Sequence, residues 1–514
     1  MRSAAAVLVG AGLYAAALPP FDWAIFGWFA LVPLLLAVRG RSVRYGFAVG
    51  TIYGVACAWG VAGWLAQALS RYFGLGMAVG IIGASGYALM FWGTAFGAFG
   101  AGASIVLNRK QARSARVAIA ALWVATELLR GRVFGQPWGL IGYSQHQHIG
   151  LIQLAAVTAV YGVSFLLAFA NESITEAIVL ARVGRRRDAA TTLAVAVIVV
   201  GAVWLAGSLV AVRGPTGGFQ AHPVAIVQTN VPPAYQWTPA YTEREILAHI
   251  RATDRLSPYS RPALVVWPEN SVPRYVETDP MLASELGAVA SRHGADLLFG
   301  APRYDGGHTY NSVRLISASG RSAGTYDKQR LVLFAEANPL STAPDADPDG
   351  NPTRFTAGHE PGVLPSFVPL GVSICHEVLF PELVAASVAS GAQLLINVSN
   401  DGWLDAGTGV AGTQHFAMAV FRAVETRRYL IRAATTGVSG IVDPYGAVIE
   451  TLPPRSAGVI TSSVAGRRML TPYVRFGDVF AFACAAGAVL AIVGRRAPVV
   501  RRYPSLAPSG PASS

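Results

Sequence analysis

The chain has 514 residues, of which 53% are hydrophobic and only 13% are charged. Average soluble domains carry about 25% charged residues, so this composition excludes a simple soluble globule and favours a membrane protein. The three cysteines are too few for a disulfide-stapled scaffold and too widely spaced for a zinc site. The net charge is +12, but the basic residues lie between apolar runs, which argues against nucleic-acid binding.

Eight apolar stretches are candidates for membrane spans, which have to cross about 30 Å of hydrocarbon. The first, second and fifth are short for a span, and the fourth and sixth are long enough to tilt or kink. The stretches cover residues 4–18, 23–38, 46–68, 77–107, 117–129, 151–180, 190–212 and 475–494.

The segments between these stretches divide by charge, and cytoplasmic loops carry an excess of Lys and Arg. Counting from a cytoplasmic N-terminus places all four basic segments inside and residues 213–473 outside. The first stretch also resembles a secretory signal peptide that ends near residues 15–17, an alternative that leaves the remaining topology unchanged. The basic segments are residues 39–44, 109–116, 182–187 and 495–502.

The chain therefore divides into four predicted parts. A transmembrane domain of seven helices occupies residues 1–212, and an outward domain occupies residues 213–473. One further transmembrane helix follows at residues 474–494. Residues 495–514 form a cytoplasmic tail that is basic at first and then rich in Pro, Ser and Ala, a composition typical of disorder.

The outward domain has the pattern of a layered α/β sandwich, with short β-branched runs separated by helical stretches and Pro/Gly turns. The predicted strands are Pro223–Gln228, Ala263–Trp267, Asp296–Gly300, Asn311–Ile316, Val368–Ile374, Leu394–Val398, Leu430–Ala434, Ser439–Val442 and Gly458–Ser462. The predicted helices are Glu243–Arg255, Met281–His293, Phe380–Ser390 and Gln414–Arg427.

One loop of this domain imitates the start of a calcium-binding loop. Prolines in the segment Thr342–Thr353 oppose regular structure, and Asp345, Asp347 and Asp349 have the spacing of the first calcium ligands. Thr356 stands where the bidentate Glu is required, so the sequence predicts no metal site.

Three segments of the domain carry a potentially reactive side chain at or near the end of a strand. Residues 265–270 are VVWPEN and place Glu269 where Pro268 stops the strand. Residues 325–332 are TYDKQRLV and include Lys328, whereas residues 371–377 are GVSICHE and place Cys375 in a turn before a helix.

Cys375 is a candidate nucleophile. The other two cysteines, Cys57 and Cys484, lie inside predicted spans, although a lone Cys is often only a small buried hydrophobe. A thiol becomes a strong nucleophile when an adjacent base takes its proton, and Glu269 is the candidate base. A nearby ammonium and the backbone N–H after Cys375 would then stabilise the oxyanion.

Lys328 is one of only two lysines among 40 basic residues. Either cation would serve for solubility, so a retained Lys indicates a need for a compact charge or a removable proton. The other lysine, Lys110, lies in a basic loop where Arg would serve equally well, so a single Lys can also be present by chance.

The three segments together resemble the Glu-Lys-Cys triad of the nitrilase superfamily. Seven preceding spans and one following span make the whole chain similar to the apolipoprotein N-acyltransferase family, the membrane-embedded branch. Further matching motifs are Pro20-Phe21-Asp22, Pro137-Trp138 and Gly142-Tyr143-Ser144-Gln145. The resemblance implies an α-β-β-α sandwich for the outward domain.

The resemblance also implies roles for individual residues. Glu269 corresponds to the general base, Lys328 to the lysine that stabilises the tetrahedral intermediate, and Cys375 to the nucleophile. Three supporting positions correspond to two further glutamates and a tryptophan at the substrate entrance, although each could instead be an ordinary packed or surface residue. These positions are Glu336, Glu377 and Trp237.

The chain departs from the family pattern in two places. The family segment after the lysine is usually His-Leu-Val-Pro-Phe-Gly-Glu, whereas residues 330–336 are RLVLFAE. The loss of Pro and Gly changes the backbone freedom of this loop. His376 stands where a Tyr commonly follows the nucleophile. These changes affect substrate preference and loop motion more than the class of reaction.

By resemblance, the reaction is ping-pong. The cysteine takes an acyl chain from a phospholipid, typically phosphatidylethanolamine, and passes it to the α-amine of a diacylglyceryl apolipoprotein. Leu333, Phe334 and Trp403 are candidates for a hydrophobic lid that keeps water from the thioester. We expect a monomer in the bacterial inner membrane with its catalytic domain on the periplasmic side. No phosphate-binding glycine loop or metal cluster is present in the sequence, so no cofactor is expected.

Two other functions remain open from the sequence. A membrane-tethered amidase or nitrilase would hydrolyse small C–N substrates in the same pocket. A transport or scaffold protein with an inactive domain would explain the altered loop and would retain its function without Cys375.

Overall fold

The computed structural model describes residues 2–72, 74, 76–109, 112–214, 220–234, 237–333, 335–337, 354–404 and 408–494. The predicted loop Thr342–Thr353 and the predicted tail 495–514 lie outside the described residues.

The first part of the chain is helical. Two π-helical turns, Ala88–Gly93 and Leu129–Val133, follow α5 and α7 without a break in the chain of helical residues. The helices are α1 (Arg2–Ala17), α2 (Val32–Val38), α3 (Val43–Ala62), α4 (Leu65–Tyr72), α5 (Gly76–Tyr87), α6 (Thr94–Arg109), α7 (Ala112–Leu128), α8 (Ile149–Ile152), α9 (Ala155–Thr158), α10 (Val160–Arg182) and α11 (Arg186–Arg213).

Within the described residues, four helical segments are long and apolar enough to cross a membrane. Shorter apolar helices lie elsewhere among the described residues, so the number of eight spans stays a prediction. The four long segments are Val43–Ala62, Gly76–Arg109, Val160–Arg182 and Arg186–Arg213. The shorter ones are Ala5–Ala17, Ala24–Val38, Ile149–Thr158 and Val479–Val493.

Several of the predicted stretches are not continuous helices, and two of the breaks show why. The stretch 46–68 is divided where α3 ends at Ala62 and α4 begins at Leu65. The stretch 151–180 is divided at Ala159, whose φ of 52° is left-handed and cannot continue a right-handed helix. The freed N–H of Val160 donates to Glu425 Oε1 at 3.1 Å, so the α/β domain stabilises this break.

The α/β domain contains two six-stranded sheets with the strand orders β12-β1-β2-β3-β4-β5 and β11-β10-β9-β8-β7-β6. The strands are β1 (Ala221–Gln228), β2 (Leu264–Val266), β3 (Asp296–Asp305), β4 (His308–Ile316), β5 (Ser322–Asp327), β6 (Val363–Leu364), β7 (Leu370–Ile374), β8 (Leu394–Ser399), β9 (Leu430–Ala434), β10 (Ser439–Val442), β11 (Val448–Leu452) and β12 (Gly458–Ala465). The helices after α11 are α12 (Pro239–Asp254), α13 (Pro280–His293), α14 (Pro381–Ala389), α15 (Val410–Thr426), α16 (Pro472–Phe476) and α17 (Val479–Val493).

The sheets face each other across a buried apolar core to which both contribute, for example Ile226 of β1 and Ile374 of β7. Helices α12 and α13 cover the outer face of the first sheet. Helices α14 and α15 cover the second sheet and share one hydrophobic cluster with the apolar helices of the first part. The predicted sandwich is confirmed, and one of its outer helical layers is also the layer that packs on the membrane helices.

All nine predicted strands are present with small differences at their ends, and the sequence analysis missed three. Strand β5 contains Ser, Gly and Thr and has no apolar alternation, whereas β6 has only two residues. Strand β11 lies at the edge of its sheet with most of its residues exposed, so burial imposes no pattern on it.

Candidate active site

Three side chains meet where strands of the two sheets end. Glu269 follows β2, Lys328 follows β5 directly, and Cys375 follows β7 directly. The segment of Glu269 lies so close to β3 that a Cβ at Gly300 would be 2.6 Å from Glu269 Cα, which only glycine avoids. All three side chains are buried, and the Lys328 side chain is 0% exposed.

Lys328 lies between two carboxylates. Its Nζ is 3.3 Å from Glu269 Oε1 and 2.7 Å from Glu336 Oε1. Burial opposes the charge of the ammonium, but the two carboxylates outweigh burial and raise the pKa of Lys328 above its ordinary value. The lysine is therefore a fixed positive charge in the site.

Asn311, in the middle of β4, connects the same two carboxylates. Its Nδ2 donates to Glu269 Oε1 at 2.8 Å and to Glu336 Oε1 at 2.7 Å. The remaining oxygens accept backbone N–H groups, from Asn400 at 2.8 Å for Glu269 Oε2 and from Val332 at 2.8 Å for Glu336 Oε2. Both carboxylates are thus held in one orientation on each side of the ammonium.

Glu377 joins the lysine segment to the nucleophile strand. Its Oε1 accepts the backbone N–H of Gln329 at 2.6 Å and of Arg330 at 3.0 Å, and its Oε2 accepts that of Ile374 at 2.7 Å. Burial, partly offset by these donors, raises the pKa of Glu377 to about 7. The contacts of Glu377 are structural ties between two segments of the site.

Cys375 occupies a left-handed backbone conformation with a φ of 52°, which is costly for a residue with a Cβ. The turn Cys375–Leu379 is a short 3₁₀ helix, and the first N–H groups of such a turn have no partner within it. Burial raises the pKa of the Cys375 thiol, Glu269 raises it further, and Lys328 opposes this effect. The resting side chain is therefore a neutral thiol beside a carboxylate that can take its proton.

A second buried network lies under the nucleophile turn, and the sequence analysis missed it. Arg432 Nη2 donates to Asp401 Oδ1 at 2.9 Å and to Oδ2 at 2.7 Å, and the guanidinium also contacts Asn397. Asn397 Nδ2 donates to the carbonyl of Cys375 at 3.2 Å. Burial raises the pKa of Asp401, but Arg432, His415 and Ser399 together lower it by more, so the net shift is downward. A signal was present, because Arg432 and Asn397 are polar residues within buried strands.

The remaining predicted site residues lie around this centre. His376 is partly buried beside Phe380, at a ring-centroid distance of 5.7 Å, and burial lowers its pKa. Trp237 and Trp403 are partly exposed, and Leu333 is 51% exposed. Phe334, the third lid candidate, lies outside the described residues.

Within the described part of the chain, no group of three or more His, Cys, Asp or Glu side chains has a geometry that could hold a metal ion. The ammonium of Lys328 supplies a positive charge in the site, and the first N–H groups of the nucleophile turn have no partner within that turn. The arrangement can activate a thiol, stabilise an oxyanion and shuttle a proton through a carboxylate.

The two-sheet fold and the Glu-Lys-Cys cluster define a carbon–nitrogen hydrolase domain attached to apolar helices. Residues 223–469 match the family model described as carbon-nitrogen hydrolase, and residues 10–172 match the apolipoprotein N-acyltransferase N-terminal domain. Apolipoprotein N-acyltransferase of Geobacter metallireducens is 32% identical over 96% of this chain and 95% of its own length. That of Methylococcus capsulatus is 32% identical over 93% of this chain and 94% of its own length. The chain belongs to the apolipoprotein N-acyltransferase family and is an acyltransferase.

A solved structure is similar to part of the chain. The NitFhit protein of C. elegans is 22% identical and covers 48% of this chain and 62% of its own, with a TM-score of 0.39. The family assignment rests on the sequence relatives and not on this likeness.

Proposed function

We propose that this chain is a phospholipid-dependent N-acyltransferase that passes an acyl chain through a Cys375 thioester to the N-terminal amine of lipidated apolipoproteins. The observation that carries the proposal is the position of Lys328 between two carboxylates beside a buried thiol. The names of the relatives supply the acceptor class, and the apolar helices supply a reason for lipid substrates.

In the first half-reaction, Glu269 accepts the thiol proton while the Cys375 sulfur attacks the ester carbonyl carbon of the phospholipid. Lys328 and the backbone N–H of His376 stabilise the oxyanion. The ester C–O bond then breaks, and Glu269 returns the proton to the departing glycerol oxygen. The products are a Cys375 thioester and a lysophospholipid.

In the second half-reaction, the α-amine of the lipidated N-terminal Cys attacks the thioester carbon. Glu269 takes a proton from the attacking nitrogen and gives it to the sulfur as the C–S bond breaks. An amide forms and the thiol is restored.

Glu336 and Glu377 serve as positioning groups in this proposal, because each accepts hydrogen bonds from the segment that carries Lys328. Trp237 would contact the incoming acceptor.

The thioester must be protected from water between the half-reactions. Leu333, together with Phe334 and Trp403, is proposed to form a lid, since a half-exposed Leu beside a site supplies an apolar cover. Leu333→Ser should slow acylation by long-chain phospholipid and speed loss of the thioester to water. Unchanged rates of both steps would remove Leu333 from the lid.

The proposed placement has eight spans in the bacterial inner membrane, with residues 1–212 and 474–494 in the bilayer, residues 213–473 on the periplasmic side and residues 495–514 in the cytoplasm. Reporter fusions after residue 214 and at the C-terminus test it. A periplasmic reporter active only in the first fusion supports the topology, and the reverse pattern overturns it. A native mass equal to that of one chain would support the proposed monomer.

The acylation step is tested by the intact mass of the purified protein after incubation with phosphatidylethanolamine and no amine acceptor. A fatty-acyl adduct that hydroxylamine removes and that is absent from Cys375→Ala supports the thioester. Addition of a diacylglyceryl peptide should then release the adduct as an N-acyl peptide. A folded protein that forms no adduct but releases ammonia from small amides would instead be a tethered amidase. Full function of Cys375→Ala in cells would indicate a scaffold.

A further inference from the structure

A row of four charged side chains runs from the active-site segment to the ends of two apolar helices. Arg132 pairs with both Glu382 and Asp478, and Arg330 Nη2 lies 3.9 Å from Glu382 Oε1. Arg132 lies in the π-helical turn after α7, and Asp478 directly precedes α17. We call these residues the charged row: Arg330, Glu382, Arg132 and Asp478.

The charged row lies where the apolar surface of the helices ends. Its sequence neighbours Val133, Phe476 and Val479 are 71%, 70% and 61% exposed, which in an apolar helical part indicates contact with lipid chains. Charged groups directly beside such surface lie in the interfacial region, where phospholipid headgroups are found.

Within the charged row, Arg330 has the greatest capacity to bind a further anion. Arg132 contacts two carboxylates and is 28% exposed. The Arg330 side chain is 53% exposed, and its distance of 3.9 Å to Glu382 is longer than a hydrogen bond. A guanidinium has five N–H donors in a planar fork that matches phosphate oxygens.

The backbone and ring contacts of Arg330 hold it beside the turn that begins at the nucleophile. Its N–H donates to Glu377 at 3.0 Å, and its guanidinium lies 5.3 Å from the centroid of the Phe380 ring. Phe380 also contacts the ring of His376, the residue after Cys375. In a phospholipid only the glycerol unit separates the phosphate from the acyl ester, so one molecule can reach both Arg330 and Cys375.

We propose that Arg330 is a specificity-determining residue whose guanidinium binds the phosphate of the acyl donor and selects phospholipid over uncharged diacylglycerol. The inference rests on the proposed function. It concerns this chain in particular, because the resemblance described above has His at this position.

The test compares phosphatidylethanolamine with diacylglycerol of the same acyl chains in detergent micelles, and measures the rate of adduct formation on Cys375 by intact mass. Arg330→Gln should lower the rate with limiting phosphatidylethanolamine about tenfold, as expected for one charge-assisted hydrogen-bonded pair, and leave the rate with diacylglycerol unchanged. Arg330→Lys keeps the positive charge but lacks the planar fork of donors. Its rate with phosphatidylethanolamine should lie between those of wild type and Arg330→Gln.

The matched control is Arg292→Gln. The Arg292 side chain is 50% exposed and pairs with Asp254 at 3.1 Å on the outer helices of the domain, away from the charged row. This variant should behave as wild type with both donors. Equal losses with both donors, or no loss with phosphatidylethanolamine, in Arg330→Gln overturn the inference while the thioester reaction stands. A wild-type protein that forms no adduct with either donor overturns the proposed function itself.

Discussion

The hydroxyl of Tyr326 donates to both carboxylate oxygens of Glu377 at 3.0 Å. Tyr326 belongs to β5 of the first sheet, whereas Glu377 follows β7 of the second. The contact therefore joins the two sheets at the point where the lysine and the nucleophile leave them. Together with the three backbone N–H donors, it makes Glu377 the tie that sets the distance between Lys328 and Cys375.

Glu377→Gln should slow acylation at least about tenfold, because a neutral amide replaces one acceptor oxygen with a donor that faces backbone N–H groups. The measurement is the rate of adduct formation on Cys375. Tyr326→Phe removes one donor and leaves the three backbone contacts, so its effect should be smaller. An equal rate for Glu377→Gln and wild type would show that the tie does not matter for the reaction.

Lys328→Arg should lower the acylation rate by about a hundredfold although the charge is retained, as expected for the loss of a well-placed oxyanion donor. The ammonium is fully buried between Glu269 and Glu336, and the larger guanidinium cannot occupy the same space without moving them. The melting temperature serves as the control for folding. A folded Lys328→Arg protein with wild-type rate would contradict the proposed role.

Asn311→Asp should be more harmful than Asn311→Ala. The aspartate would place a third carboxylate against Glu269 and Glu336 at the position that now donates to both. Alanine only removes the donor. We expect the acylation rate to fall in the order wild type, Asn311→Ala, Asn311→Asp. The opposite order of the two variants would show that Asn311 acts through its volume and not through its hydrogen bonds.

The stability of the α/β domain should depend on pH through Glu245. Burial raises the pKa of this carboxyl to about 8 in the folded protein, from about 4.5 when exposed. Between pH 4.5 and 8, the folded state therefore binds more protons at this carboxyl than the unfolded state does. The stability that this protonation provides is lost as pH rises through about 8. Glu245→Gln should raise the apparent melting temperature at pH 9 relative to wild type and have little effect at pH 5. Glu285→Gln, at an exposed position, is the control and should show no such difference.

Gln414 should contribute to the attachment of the α/β domain to the helical part. Its Oε1 accepts the indole N–H groups of Trp138 at 2.8 Å and Trp64 at 3.2 Å. Its Nε2 donates to the carbonyls of Pro19 at 2.9 Å and Val61 at 2.8 Å. Gln414→Ala leaves four polar groups without this partner, of which the Trp64 indole is only part-buried, at a cost of about 1–3 kcal/mol for each buried group left unpaired. The apparent melting temperature should fall, and less in Gln414→Glu, which keeps the two accepted bonds.

Much of the architecture was predictable from local patterns. Apolar length marks helices that can cross a bilayer, and period-two β-branched runs mark the strands of a buried sheet. Both signals can be read from a short stretch of sequence, because positions at regular spacing within one helix or strand share the same environment. The strand pattern also predicts that Glu269 and Cys375 lie at or near strand ends, and the scarcity of lysine among the basic residues indicates a role for Lys328.

The sequence by itself therefore determined the class of the protein, nine of the twelve strands in the described residues and the three side chains of the cluster. Only the tertiary structure decided what orients them, because the partners are far apart in the chain. Asn400 donates to Glu269 across 131 residues, and Asn311 reaches it across 42. The charged row likewise depends on Arg132 and Glu382 meeting through the packing of two domains. Such contacts follow from how sheets and helices pack, which no local periodicity encodes.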